Sequence, residues 1–262
     1  MKAMILAAGL GTRLRPLTDD RPKALVTIAG HTLLEIALAR LRTVGVRAVV
    51  VNVHHFADQV VEYLKANNNF GMRIEVSREE TLLDTGGGLQ HASWFFLEDG
   101  AQHPFILHNV DVISTIDLKR MMRFHDDQNA LATLAMQHRE TSRLLLFDQR
   151  GQLCGRRIQH SGEDSKTEWA RPAEPAQAHG QDYVQAHAQA LAFSGIHILS
   201  PRIFAELNQD GAFSIIDAYL RLAAQGEKIE AFRADDAYWR DLGRPDSIAA
   251  ANHDLADGKY PI

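Results

Sequence analysis

Residues Leu6-Ala7-Ala8-Gly9-Leu10-Gly11-Thr12-Arg13-Leu14-Arg15-Pro16-Leu17-Thr18 continue an apolar run that starts at Ala3, and Arg21-Pro22-Lys23 follows shortly after. The run Ala3 to Ala8 reads as a buried strand, and the glycines after it open a tight loop, Gly9 to Thr12. Without a Cβ at Gly9 and Gly11, backbone N–H groups can approach a polyphosphate that a side chain would obstruct. A dinucleotide-binding turn needs a third glycine where Leu14 stands, and a P-loop needs GxxxxGK[ST]; this chain has neither. What remains is a glycine turn with two fixed cations, Arg13 and Lys23. A lone GxG is usually a strand–helix turn with solvated charges. The length of this string points to anion binding instead.

Downstream, strands and helices alternate. Leu33 to Val44 places Leu34, Leu38, Leu41 and Val44 on one helical face, with Gly45 where a C-terminal cap belongs. Ala48 to Val53 is a β-branched strand, and Ala57 to Ala66 a helix with Val60, Val61 and Leu64 inward. Arg73 to Ser77 reads as a short strand, Leu89 to Leu97 as a helix and Phe105 to His108 as a buried strand. Such alternation implies an α/β fold with a parallel sheet whose ligands gather at the carboxyl ends of the strands. The second half is more mixed. Ala130 to Gln137 and Arg143 to Phe147 read as strands, with a turn at Asp148-Gln149-Arg150-Gly151. Arg156 to Gln189 shows little periodicity and reads as an irregular excursion. Leu191 to Leu199 restores order, and Ser200-Pro201 offers a helix start with serine as the cap. Ile215 to Gln225 and Pro245 to Ala256 read as the last helices. No repeat interrupts the chain, and residues 1–262 read as one domain.

Composition narrows the class. Of 262 residues, 45% are apolar, yet no apolar stretch is long enough to span a bilayer, so a globular, membrane-free protein is expected. The run Met4 to Ala8 is too short for the core of an export signal. A lone Cys154 allows no internal disulfide and no cysteine metal cluster, in keeping with a cytoplasmic location. A net charge of -5 argues against nucleic acid as a partner. A small phosphorylated substrate needs only a locally basic pocket.

Two further motifs carry chemistry. In Phe105-Ile106-Leu107-His108-Asn109-Val110-Asp111-Val112, an acidic residue stands just past a buried strand, where its carboxylate can hold a hard cation at the sheet edge. In Glu79-Glu80-Thr81-Leu82-Leu83-Asp84-Thr85-Gly86-Gly87-Gly88-Leu89, three glycines ahead of a helix permit close approach to a flat base, and the upstream acid can read its edge.

The string from Gly9 to Thr18 followed by Pro22-Lys23 resembles the signature of the sugar-1-phosphate nucleotidyltransferase family, written roughly GxGTRxxPxT and then PK. The C-terminal Trp239-Arg240-Asp241-Leu242-Gly243 resembles that family's tryptophan-Xaa-Asp-Xaa-Gly string. The resemblance covers roughly Met1 to Phe147 and Leu191 to Ala256. It implies a Rossmann-like (GT-A-type) mixed, mostly parallel sheet flanked by helices, with a decorated C-terminal half. It implies that a nucleoside triphosphate and a sugar 1-phosphate are the partners, joined with release of pyrophosphate. Residue by residue, it places Ala7, Ala8, Gly9, Gly11, Thr12, Glu79 and Gly88 against the nucleotide. Arg13 and Lys23 become the catalytic cations, and Asp111 and Asp241 the ligands of Mg2+. Asn109 and Gly195, the latter within Phe193-Ser194-Gly195-Ile196-His197, lie beside the sugar. The acid and triple-glycine segment is most similar to N-acetylmuramate 1-phosphate uridylyltransferases of cell-wall recycling, which implies UTP as donor. The chain departs from the family in having Val110-Asp111 for the usual Gly-Asp, and it lacks the Glu-Lys-Pro string of thymidylyl-type members.

Within this class the alternatives are mannose or heptose 1-phosphate with GTP, or phosphocholine with CTP. A nucleotide-sugar-binding regulatory subunit is the non-enzymatic alternative, although all four charged residues of an active member are present. A nicotinamide-dependent oxidoreductase is disfavoured by Leu14. The assembly is expected to be a monomer or small homo-oligomer.

Overall fold

The computed structural model describes residues 1–98, 100, 103–159, 165–170 and 187–260. Strands β1 (Lys2–Leu6), β2 (Thr27–Ile28), β3 (His31–Thr32), β4 (Ala48–Val53), β5 (Arg73–Arg78), β6 (Phe105–Asn109) and β7 (Val112–Ser114) come from the first half. The second half supplies β8 (Ala132–Gln137), β9 (Arg143–Phe147), β10 (Leu153–Gln159), β11 (Ser165–Trp169), β12 (Gln189–Leu199), β13 (Ile229–Arg233) and β14 (Trp239–Asp241). The main sheet runs β11-β10-β9-β12-β6-β1-β4-β5, with β8 pairing both β12 and β13. It is mixed: parallel across β6, β1, β4 and β5, and antiparallel from β12 outward to β11. A separate two-stranded ribbon joins β14 to β7.

Alternation along the central strands feeds two apolar layers. Ala3, Ile5, Val49, Val51 and Ile106 point to one face, packed with Leu34, Leu38, Leu41, Val60, Met121 and Ile248. Met4, Val50, Phe105 and Leu107 point to the other, against Leu89, Phe95, Phe204, Ala218 and Tyr219. Each layer is a set of helices laid on one side of the sheet, the three-layer solution for strands buried on both faces. Local signals explain the helix ends. The hydroxyl of Thr32 accepts from Glu35 N at 3.1 Å, capping the helix Leu33–Thr43, and Gly45 turns the chain beyond it with φ +90°. Among the described residues, no helix is long and apolar enough to cross a membrane.

Three expectations change. The predicted helix Leu89 to Leu97 is two helices, Asp84–His91 and Ser93–Leu97, and the triple glycine lies inside the first rather than in a loop before it. Ser200 is not the helix cap: the helical turn is Ile203–Glu206, Arg202 stands at its cap with no side-chain bond, and Ile203 N donates to the carbonyl of Ser200 at 3.0 Å. The excursion predicted over Arg156 to Gln189 holds two strand segments, the end of β10 and all of β11, paired antiparallel from Gly155↔Trp169 to Gln159↔Ser165. Polar residues on both faces of this edge hairpin hid its period of two. Residues 160–164 and 171–186 of that stretch lie outside the described residues.

Candidate active site

The loop after β1 is held by its own side chains. Gly11 sits in the left-handed region at φ +67°, and its carbonyl accepts from the hydroxyl of Thr18 at 2.9 Å. Leu14, at the position where a dinucleotide motif has glycine, is fully buried and anchors the loop to the core. Pro22 then leads into a turn, Lys23–Leu25, that projects the Lys23 ammonium onto Asp111 Oδ2. Both side chains are largely buried, at 13% and 14% exposure. Asp111 therefore meets its opposite charge within the chain.

A cavity of about 390 Å³ opens at the carboxyl ends of β1, β4 and β6. Ala7, Ala8, Gly9, Lys23, Glu79, Asn109 and Asp111 line it, as do Asn52, Asp84 and Thr85, which sequence reasoning missed. Asn52 is a polar residue at the end of the apolar strand β4, and that break in the run was its signal. Its carboxamide oxygen accepts from Ala7 N at 2.7 Å, and its nitrogen donates to Glu79 Oε1 at 2.7 Å. Glu79 Oε2 accepts from Leu83 N at 3.0 Å. Each oxygen of Glu79 thus accepts one hydrogen bond, and its carboxylate joins the end of β4 to the loop before the triple glycine while lining the cavity. Gly88 meets the same network: a Cβ there would lie 2.7 Å from Glu79 Oε1 and 2.8 Å from Asn52 Nδ2. Gly86 and Gly87 are crowded by the Phe213 ring and the Gly211 carbonyl. Their N–H groups, which a first helical turn leaves without an intrahelical acceptor, both donate to the carbonyl of Phe213, at 2.9 and 3.3 Å. The three glycines serve close packing of protein on protein.

A second cavity of about 760 Å³ adjoins the first and shares Asp84, Thr85, Asn109 and Asp111 with it. Gly195, Phe193 and His197 of β12 form one wall, with Trp239 and Asp241 at its mouth. Gly195 is left-handed (φ +73°), and the pairing of β12 with β8 shifts register between Phe193 and His197. A Cβ at Gly195 would meet Val112 Cγ2 at 2.8 Å and Asn109 Nδ2 at 3.0 Å, so the glycine lets β12 close on Val112 and on Asn109, the other predicted sugar-side residue. Burial pushes His197 in this wall down to about 3 and His108 on the neighbouring β6 down to about 4, so both imidazoles are neutral near pH 7. His197 Nδ1 lies 2.9 Å from the Tyr219 hydroxyl.

Asp241 reaches Asp111 through the β14–β7 ribbon. Asp241 pairs with Val112, and Leu242 N donates to the carbonyl of Asp111 at 2.8 Å. Gly243 N donates to Asp241 Oδ1 at 2.6 Å. The other oxygen of each carboxylate, Asp111 Oδ1 and Asp241 Oδ2, accepts no hydrogen bond among the described residues. Two hard oxygen donors brought together this way suit a magnesium-like cation that draws its other ligands from phosphate and water. Among the described residues, no set of three or more His, Cys, Asp or Glu could enclose a metal. Arg13 stands on the far side of Asp241, in a third cavity of about 460 Å³. A Cβ at Gly243 would lie 3.0 Å from its Nη2. Of the predicted residues, Gly11, Thr12 and Gly88 line none of these cavities.

The nucleotidyl transferase family profile matches residues 2–258. The chain belongs to that family. A 34% identical relative, the N-acetylmuramate alpha-1-phosphate uridylyltransferase of Caulobacter vibrioides, aligns over 97% of this chain and 97% of its own. The mannose-1-phosphate guanylyltransferase of Mycobacterium tuberculosis is 27% identical over 99% of this chain and 66% of its own. The crystal structure of HddC from Yersinia pseudotuberculosis complexed with GMP-PN matches the fold with a TM-score of 0.71. It is 22% identical and covers 97% of this chain and 99% of that one. As a family member the protein is a sugar-1-phosphate nucleotidyltransferase. The Rossmann-like sheet expected from its sequence is the fold it adopts.

Proposed function

We propose that the protein transfers a uridylyl group from UTP to the phosphate of N-acetylmuramate 1-phosphate, with Asp111 and Asp241 holding Mg2+. One observation carries the chemistry: Asp111 and Asn109 line both the 390 Å³ and the 760 Å³ cavity, so two phosphorylated ligands seated there would meet at the Asp111 carboxylate. An oxygen of the acceptor phosphate forms the new bond to the α-phosphorus. The bond from that phosphorus to its bridging oxygen breaks, and the electron pair leaves on pyrophosphate. The second phosphate pKa is about 6, so the nucleophile is mostly ionised at neutral pH and no side chain needs to take its proton. Lys23 exchanges Asp111 for the donor's phosphates, and Arg13 neutralises charge at the opposite side of Asp241. The metal, when bound, supplies further charge neutralisation at the phosphates. With Glu79 engaged by Asn52 and Leu83, recognition of the base falls to the loop backbone between Glu80 and Asp84.

The uridylyl assignment rests on the full-length relative from Caulobacter. A guanylyl reading is favoured by the mycobacterial relative, which also aligns along this whole chain. A panel of UTP, GTP, CTP and ATP against N-acetylmuramate, mannose and glucose 1-phosphates, read as pyrophosphate release, separates them. UTP is expected to exceed GTP in kcat/KM by about tenfold or more, as unpaired polar contacts cost about 1–3 kcal/mol each in a desolvated site. A tenfold preference for GTP with any efficient sugar would overturn the uridylyl assignment and leave the transferase class intact.

A further inference from the structure

Arg139 lies on the connection from β8 to β9, outside every motif of the sequence. It lines both the 760 Å³ and the 460 Å³ cavity, beside Asp241 in each. Its guanidinium carbon stands 3.7 Å from the centre of the Trp239 ring, and one Nη donates to the carbonyl of Phe193. Trp239 is fixed in turn, its Nε1 donating to the carbonyl of Ser194 at 2.8 Å. Phe193 and Ser194 are strand residues of β12, so the arginine is gripped by rigid structure on two sides.

The grip leaves the charge unmatched. Arg139 Nε is buried without a hydrogen-bond partner, and no carboxylate among the described residues forms an ion pair with this side chain. Burial draws its pKa below the ordinary arginine value, with the nearby Asp241 acting in the opposite sense. Arg156 in the same cavity is different, since it is held by Glu168 at 2.8 Å and by Asp217. Arg139 is half-buried, and a cation partly withdrawn from water without a close counter-ion gains from an anion that completes it. The guanidinium carbon lies over the indole, Nε is sealed from solvent and one N–H is spent on Phe193, so the remaining Nη N–H groups are left for the oxygens of an anion in the cavity.

We propose that Arg139 receives the phosphate of the acceptor, seating the attacking group beside Asp241 on the Trp239 face. The assignment rests on the transfer reading of the two cavities, and it is independent of which sugar or base is used. Lys23 and Arg13 serve the donor's phosphates, and Arg139 supplies the matching charge for the nucleophile. Its work is to hold and aim the acceptor phosphate, which adds no covalent step.

Arg139→Gln keeps a donor for the Phe193 carbonyl and removes the charge. Arg139→Lys keeps the charge and loses the fork over the indole. With whichever sugar 1-phosphate gives the fastest pyrophosphate release, Arg139→Gln is expected to raise the acceptor KM about tenfold or more, with the NTP KM within about twofold of wild type. Inorganic phosphate, competitive against the acceptor in the wild type, should inhibit the Gln variant about tenfold less, with Lys in between. A common rise in both KM values, or unchanged acceptor KM and phosphate inhibition in a folded variant, overturns the assignment. Calorimetric titration of wild type, Gln and Lys proteins with inorganic phosphate decides the point without turnover: equal affinities refute it. Absence of pyrophosphate release with every sugar 1-phosphate would instead refute the transfer reading.

Discussion

The smaller cavity is walled by parallel strands β1, β4 and β6 and the loops at their carboxyl ends, whereas antiparallel β9, β10 and β12 wall the larger one. The first is built from backbone, small residues and a closed chain of hydrogen bonds through Asn52 and Glu79. The second is built from long side chains that converge from distant parts of the sequence, Arg139 and Trp239 among them. A backbone-built wall resists change, since altering it means moving a strand. A wall of side chains can be altered one residue at a time without moving a strand. On the transfer reading proposed above, a different sugar would be accommodated in the larger cavity by replacing side chains one at a time.

The largest expected effect tests whether the seam belongs to both halves. Asp111 comes from the parallel half and Asp241 from the ribbon, so Asp111→Asn and Asp241→Asn should each lower kcat by about a hundredfold or more at saturating magnesium; the fold should persist in both, with a lower melting temperature in Asp111→Asn, where Lys23 loses its counter-charge. If one variant kept more than about a tenth of wild-type activity, the metal would belong to one half alone. A smaller effect probes how tightly the donor wall is packed. Gly86→Ala places a methyl group against the Phe213 ring and carbonyl, and should cost about 1–3 kcal/mol in urea unfolding. A neutral result would mean the segment near Phe213 yields easily, and the contrast between a rigid and an adaptable wall would fail.

A pH-dependent effect concerns the two buried histidines, His197 in the wall of the larger cavity and His108 beside it. Their folded-state values, about 4 for His108 and about 3 for His197, lie below the unfolded value near 6.5. The stability linked to them is complete above pH 6.5 and declines as pH falls toward 4, because the unfolded chain binds protons that the folded one refuses. Each histidine contributes a slope of up to about 1.4 kcal/mol per pH unit across that window. Urea midpoints at pH 7, 6 and 5 should fall, and His197→Gln should fall less steeply. A pH-independent midpoint would show that the imidazoles are hydrated and this wall of the larger cavity is loose.

Most of the parallel half was legible in the sequence because its signals are local. The boundaries of β4 and of the helix Ala57–Ala66 fall where periodicity puts them, and Asp111 stands at the end of an obvious buried strand. Asp241 was legible only through its motif, since nothing near Trp239 announces a pairing with Val112. Arg139 was illegible: a single arginine on a connection acquires meaning only when Trp239, a hundred positions later, is laid under it. The triple glycine misled for an energetic reason. Each glycine disfavours helix by about 1 kcal/mol, so three together argue for a loop until the contacts with Phe213, Gly211 and Glu79 outweigh propensity.

Those glycines also constrain what inheritance can do. At Gly86, Gly87 and Gly88, any replacement brings a Cβ, and each of the three faces a different obstacle: an aromatic ring, a carbonyl and a buried carboxylate. A compensating change for one position would not relieve the others, so drift here would need several coordinated substitutions at once. The segment from Glu79 to Leu89 should consequently change very slowly between descendants of this gene, even where the neighbouring arginines turn over and the sugar changes.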